Sequence, residues 1–241
     1  MTDAFLSVDA VGKQFQGLRA VNAVSFDVRR GEIVSIIGPN GAGKTTLFNL
    51  LTGQLAPTSG EIRLDGKVIN QLRPDKRAKL GLGRTFQIAK PLIGLTALEN
   101  VMVGAFLHHP KLRDAEALAR AKLDEVGLSA RMHVKAGELT LSERRRLEVA
   151  RALALEPRMV LLDEVMAGLN PSEVAELINL VRRLNHAGLT LLIIEHNLKV
   201  VRAFSERVIV LNYGAKIAEG DAETILASPE VIEAYLGKRR R

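Results

Sequence analysis

Residues 38–45 read Gly38-Pro39-Asn40-Gly41-Ala42-Gly43-Lys44-Thr45, a full G-x-x-x-x-G-K-[ST] pattern. Glycines at this spacing let successive backbone N–H groups turn inward around anionic oxygens. Lys44 brings a point charge suited to β- and γ-phosphates, and Thr45 brings a hydroxyl suited to Mg2+. The flanks agree with that chemistry. Ile33-Val34-Ser35-Ile36-Ile37 reads as a buried strand, and Thr46-Leu47-Phe48-Asn49-Leu50-Leu51 reads as a helix. A helix start adds the positive end of its dipole. Strand, loop and helix together favour phosphate binding over a glycine-rich turn that binds nothing. They imply a nucleoside triphosphate, ATP, with Mg2+.

Two carboxylates, Asp163-Glu164, directly follow the apolar run Met159-Val160-Leu161-Leu162. The end of a buried parallel strand is where open α/β sheets bind ligands. Nucleotide hydrolysis needs one carboxylate for the metal shell and one to orient and polarise the attacking water. Asp163 is assigned to the metal and Glu164 to the water. His196 ends the next buried run, Leu191-Leu192-Ile193-Ile194-Glu195-His196, and is expected at the same edge. An imidazole there donates to the γ-phosphate and helps place the water. Gln87, in Gly83-Arg84-Thr85-Phe86-Gln87, is a weaker candidate. Its carboxamide suits the metal shell, although a polar residue after a strand usually just turns the chain.

Positioning these groups requires an α/β fold. Alternation over 5–11 and 20–28, and the short segment 60–66, suggest an antiparallel sheet laid beside the phosphate-loop strand. From 96 to 155 the period becomes helical, with Leu118, Ala119, Leu123 and Val126 on one face, then Leu147, Val149, Ala150 and Leu153. The runs 159–162 and 191–194 are nearly continuous apolar strands, as expected when both sheet faces are covered. A helix over 172–186 lies between them and completes a βαβ unit, with Pro171, Ser172 and Glu173 at its start. No linker or repeat divides the chain, so 1–241 is expected to form one domain, with a helical subdomain at about 90–155 inserted in the core.

The 241 residues suffice for a sizeable core, and the absence of cysteine excludes disulfides and cysteine metal sites. No apolar run approaches the roughly 20 residues that span a bilayer, and the N-terminus shows no signal peptide. A cytoplasmic location is the expectation. The net charge of +7 comes partly from Arg144-Arg145-Arg146 and Lys238-Arg239-Arg240-Arg241. Nucleic acid or an anionic membrane suits such clusters, but a solvated helix face and a frayed tail are the simpler reading. With no tryptophan and two tyrosines, base stacking is poorly provisioned, and no nucleic-acid partner is expected.

Taken together, these residues resemble the nucleotide-binding subunit of ABC transporters, from about Leu6 to Gly237. In that resemblance Gly38 through Thr46 correspond to the phosphate loop and Gln87 to the Q-loop glutamine. Leu161-Leu162-Asp163-Glu164 matches the Walker B strand and its catalytic glutamate. Gly168-Leu169-Asn170-Pro171 matches the D-loop, His196 the switch histidine, and Phe15 the ring that stacks on adenine. Within the family the chain is most similar to ATPases of branched-chain amino acid importers, on Arg84-Thr85-Phe86-Gln87, Leu95-Thr96-Ala97-Leu98-Glu99-Asn100-Val101, Asn170 and Ala234-Tyr235-Leu236-Gly237. The ATPase of the lipopolysaccharide exporter is the second resemblance.

Two positions depart from the family pattern. The signature Leu-Ser-Gly-Gly-Gln aligns with Leu139-Thr140-Leu141-Ser142-Glu143, where Ser142 replaces a glycine that approaches the partner's γ-phosphate. Val165 replaces the proline after Glu164. The resemblance implies a phosphate-loop core with an antiparallel β-subdomain and a helical subdomain. It also implies head-to-tail pairing with a second ABC ATPase subunit, related or identical, around two ATP. Membrane-embedded permease subunits would be the further partners, with this chain peripheral on the inner face of the membrane. A soluble ABC ATPase acting on nucleic acid or ribosomes is the alternative from another class. A nucleotide-binding module without turnover is opposed by Asp163, Glu164 and His196 occurring together.

Overall fold

Alternating apolar residues fold the first thirty positions into two long strands, β1 (Ala4–Phe15) and β2 (Leu18–Arg29). The computed structural model describes residues 4–85, 91–229 and 231. Gln87, residues 234–237 and the basic tail 238–241 lie outside the described residues. Strand β1 pairs antiparallel with β2 and with β4 (Ser59–Leu64), and β4 pairs with β5 (Lys67–Val68). This four-stranded sheet turns Leu6, Val8, Val24, Phe26, Ile62 and Leu64 inward.

The phosphate-loop strand β3 (Ile33–Ile37) belongs to a second sheet. It has six strands in the order β10-β9-β3-β8-β7-β6, adding β6 (Leu82–Arg84), β7 (Met159–Asp163), β8 (Thr190–Ile194), β9 (Arg207–Asn212) and β10 (Ala215–Asp221). All neighbours are parallel except β10, which runs antiparallel to β9. The two sheets meet through a shared core and through hydrogen bonds from the Asn22 N–H to Gly214 O at 2.8 Å and from Arg207 Nη2 to Asp27 O at 2.5 Å. Helix α1 (Lys44–Leu51) contributes Leu47, Phe48, Leu50 and Leu51 to that core, beside Val34 and Ile36. Every residue of β3, β7 and β8 is buried, which accounts for their nearly continuous apolar character.

Helix α1 ends against a buried cation. Arg77, on the short helix α2 (Pro74–Lys79), is 1% exposed and donates to the carbonyls of Leu50 (2.6 Å), Leu51 (2.7 Å), Leu72 (2.9 Å) and Asn70 (3.1 Å). A cation suits the negative end of the helix dipole and satisfies carbonyls that α1 leaves open. Burial pushes its guanidinium down to about 10.

The other face of the six-stranded sheet is covered by helices. Helix α6 (Pro171–His186) makes the crossover between β7 and β8 and starts with a capping box of Asn170 and Glu173. Helices α3 (Ala97–Ala105), α4 (Leu112–Glu125) and α5 (Leu141–Leu153) bury Val101, Ala119, Leu123 and Leu147 in one cluster with Val160 and Ile193 of the sheet. The helical segment thus shares a core with β7 and β8 of the sheet. Helices α7 (Leu198–Phe204) and α8 (Ala222–Ala227) cover Ile37, Val208 and Val210. Among the described residues, no helix is long and apolar enough to cross a membrane.

Candidate active site

The loop between β3 and α1 is tightly enclosed by backbone. A Cβ on Gly38 would stand 2.1 Å from the Leu211 carbonyl oxygen, and Gly43 has a left-handed φ of 97°. Neither position accepts a side chain at its present geometry. Gly43 caps α1 without a side-chain acceptor, and no acidic residue lies in the first turn. The helix start is therefore open to an anion. Lys44 is buried and folds back across the loop, its Nζ 2.7 Å from Gly38 O and 2.9 Å from Pro39 O. Burial lowers the pKa of its ammonium, and the Glu164 and Asp163 carboxylates oppose that change. The loop, with Asn40 through Thr46, lines a cleft of about 630 Å³ together with Leu18, Ala20, Glu164 and Tyr213.

Strand register brings the acidic pair and the histidine together. Asp163 aligns with Ile194 across β7 and β8, so Glu164 and His196 emerge at the same sheet edge. Glu164 Oε1 lies 3.9 Å from His196 Nδ1, too far for a direct hydrogen bond. The Glu164 backbone N–H donates to Ile194 O at 3.0 Å, which fixes the turn after β7. Asp163 is fully buried at the strand end. Arg84 Nη2 donates to its Oδ2 at 2.8 Å, while Oδ1 is buried with no hydrogen-bond partner. Desolvation raises the Asp163 pKa, opposed by Arg84.

An open carboxylate oxygen of this kind fits a cation. Among the described residues, no group of three or more His, Cys, Asp or Glu side chains could hold a metal by itself. The arrangement suits Mg2+, which takes one or two protein oxygens and completes its shell with phosphate and water. Thr45, exposed in the first turn of α1, is the second oxygen available.

The other expected residues separate into groups. Phe15 is 41% exposed, carries Lys13 Nζ 5.2 Å from its ring centre, and is not among the residues lining the cleft. Its cross-strand neighbour Leu18 does line it. Tyr213, 89% exposed, is an aromatic side chain of the cleft that sequence reasoning passed over. The signature residues Leu139, Thr140, Leu141, Ser142 and Glu143 line no part of this chain's own phosphate cleft. Thr140 caps α5 in a capping box with Glu143, Ser142 lies in the first turn, and Leu141 packs against Gly168. A larger cavity of about 730 Å³ lies elsewhere, and its Glu32, Arg207, Lys216 and Glu219 pair with one another.

The sequence profile of the ABC transporter family matches residues 21–167. The chain belongs to the ABC transporter family. A second profile, the branched-chain amino acid ATP-binding cassette transporter, matches residues 215–240. The chain is 41% identical to the high-affinity branched-chain amino acid transport ATP-binding protein BraF of Pseudomonas aeruginosa, over 99% of this chain and all of that one. It is 42% identical to the corresponding protein LivG of Escherichia coli, with the same coverage. Among solved structures it resembles an ATP-binding cassette of an ABC transporter in its ADP conformation, at 33% identity and a TM-score of 0.89. That match covers 98% of this chain and 100% of the other. The expected α/β fold of this family, with its antiparallel sheet and helical segment, is the fold observed.

Proposed function

We propose that this ABC protein is the ATP-hydrolysing subunit of an importer for branched-chain amino acids. The observation that carries the reading is the convergence of Lys44, Asp163, Glu164 and His196 at one sheet edge, with Glu164 and His196 at 3.9 Å. End-to-end similarity to transport ATP-binding proteins supplies the substrate class.

In this reading the open N–H groups of the loop and α1 hold the phosphates of ATP, and Lys44 balances charge on the β- and γ-oxygens. Glu164 holds the attacking water and accepts its proton as the bond from the γ-phosphorus to the leaving ADP oxygen breaks. His196 donates to a γ-phosphate oxygen. Mg2+, when bound, neutralises the triphosphate, and Thr45, Asp163 and Gln87 are the residues that would hold it. Tyr213, which lines the cleft, and Phe15, the cross-strand neighbour of the lining residue Leu18, are the rings assigned to the base.

The chain needs partners to move a solute. We assign it permease subunits in the membrane, a second ABC ATPase subunit, and a peripheral position on the cytoplasmic face. The similarity to solved dimeric cassettes supports pairing. Uptake of labelled leucine by cells lacking the chain tests the reading. Uptake is expected to fall, to return with the wild-type protein and not to return with Glu164→Gln. Leucine uptake unchanged by the deletion would overturn the substrate class.

A further inference from the structure

Arg84 closes β6 as a charged residue in an apolar setting, and the phosphate chemistry does not use it. Its side chain is 8% exposed. The guanidinium spans three elements. Nη2 donates to Asp163 Oδ2 on β7 at 2.8 Å, and Nη1 donates to Asn49 Oδ1 at 2.6 Å and Thr52 Oγ1 at 3.1 Å. Asn49 lies on α1, the helix that begins with Lys44 and Thr45, and Thr52 caps its C-terminus. The next residue on the chain completes the hold. Thr85 Oγ1 accepts from the Asp163 backbone N–H at 3.1 Å, and Thr85 N–H donates to Leu161 O at 2.9 Å.

A buried ion pair is a poor source of stability, because desolvation offsets much of the attraction. An apolar pair of equal volume would fill the space as well. What the guanidinium supplies is direction. It occupies one oxygen of Asp163, leaves Oδ1 buried and without a partner, and sets that carboxylate at a fixed distance from α1. A planar fork does this with several bonds at once, whereas an ammonium is a single point.

We propose that Arg84 is a positioning residue for the metal site: it orients Asp163 so that Oδ1 meets the cation and ties that carboxylate to the helix bearing Thr45. The inference rests on the reading of Asp163 as the metal carboxylate. Arg84 does not touch nucleotide or metal itself.

The test is direct titration of Mn2+ onto the ADP-loaded protein, followed by electron paramagnetic resonance, for the wild type, Arg84→Lys, Asn49→Ala and Asp163→Asn. Losing a group that hydrogen-bonds a metal ligand typically weakens metal affinity by about 10–100-fold, and Arg84→Lys is expected to weaken Mn2+ binding by about that factor. ADP binding measured in chelator should not change. Asn49→Ala keeps the ion pair and removes one anchor, so it should shift the Mn2+ midpoint in the same direction by less. It also decides the matter if Arg84→Lys does not fold. An unshifted Mn2+ midpoint in whichever of the two folds would overturn the proposal, as would an equal loss of ADP binding in chelator. If Asp163→Asn itself leaves Mn2+ binding unchanged, the assignment of Asp163 fails instead.

Discussion

Glu164 and His196 face each other at 3.9 Å because β7 and β8 are adjacent, parallel and in register at their last residues. The backbone also sets this spacing. Glu164 has a left-handed φ of 49°, a strained value for a residue with a Cβ and one that concentrates at functional sites. A proline at the next position would push its predecessor towards extended geometry. The buried Val165 imposes no such restriction, so the departure from the family pattern is compatible with the turn that presents Glu164.

Lys44→Ala is expected to abolish ATP-dependent activity. The ammonium lies over the loop with the Gly38 and Pro39 carbonyls as its acceptors, ready to exchange them for phosphate oxygens. Removing one preorganised charge of this kind typically costs about 10²–10³ in rate. Steady-state phosphate release measures it, and near-normal turnover would place the working site elsewhere.

Ser142→Gly is expected to raise ATPase activity of the isolated protein. Ser142 follows Leu141 in the first turn of α5, at the position where the resembled signature has glycine. A gain of about 1 kcal/mol in closing the composite site would appear as about fivefold in rate. Hydrolysis at saturating Mg-ATP and equal dimer content compares the two forms. Equal or lower activity would show that the serine is tolerated or binds phosphate through its hydroxyl.

Glu195, buried beside Glu164 and His196 of the candidate site and accepting from the Met166 N–H, gives a pH signature. Burial raises its carboxyl from 4.5 to about 7; the nearby Glu164 adds to this, while the Met166 and His196 backbone N–H groups and Arg145 oppose it. Below about 4.5 both folded and unfolded chains hold the proton, and the group costs nothing. As pH rises towards about 7 the unfolded chain releases its proton first, so stability falls, and the loss is complete above that value. At about 1.4 kcal/mol per tenfold the full effect is about 3 kcal/mol. Glu195→Gln should therefore melt at a higher temperature than the wild type at pH 8 and at a similar one at pH 4.5. Parallel melting curves across that range would refute the assignment.

The phosphate loop and the Asp163-Glu164 pair were legible because their signals are local: fixed spacing, and an apolar run ending in charge. His196 was legible because its strand repeats that pattern. Strands β9 and β10 have no counterpart among the sequence expectations, although Val208-Ile209-Val210-Leu211 carries the same apolar signal as the other buried strands. That β9 sits beside β3, on the opposite side from β8, is a consequence of chain crossover that no local pattern contains. The grip of Arg84 on Asp163 and the presence of Tyr213 in the cleft likewise depend on packing between distant segments. Asn170 belongs by resemblance to a loop motif, and its observed role as the cap of α6 follows from Glu173 three residues on.

The most direct test of the account is single-turnover hydrolysis by Glu164→Gln beside the wild type, with ATP binding measured on the same preparations. Replacing a general base by its amide is expected to slow hydrolysis by about 10²–10⁴. ATP binding should be kept, and an ATP-bound dimer should accumulate on size-exclusion chromatography. Hydrolysis at the wild-type rate would contradict the assignment of Glu164 as the base.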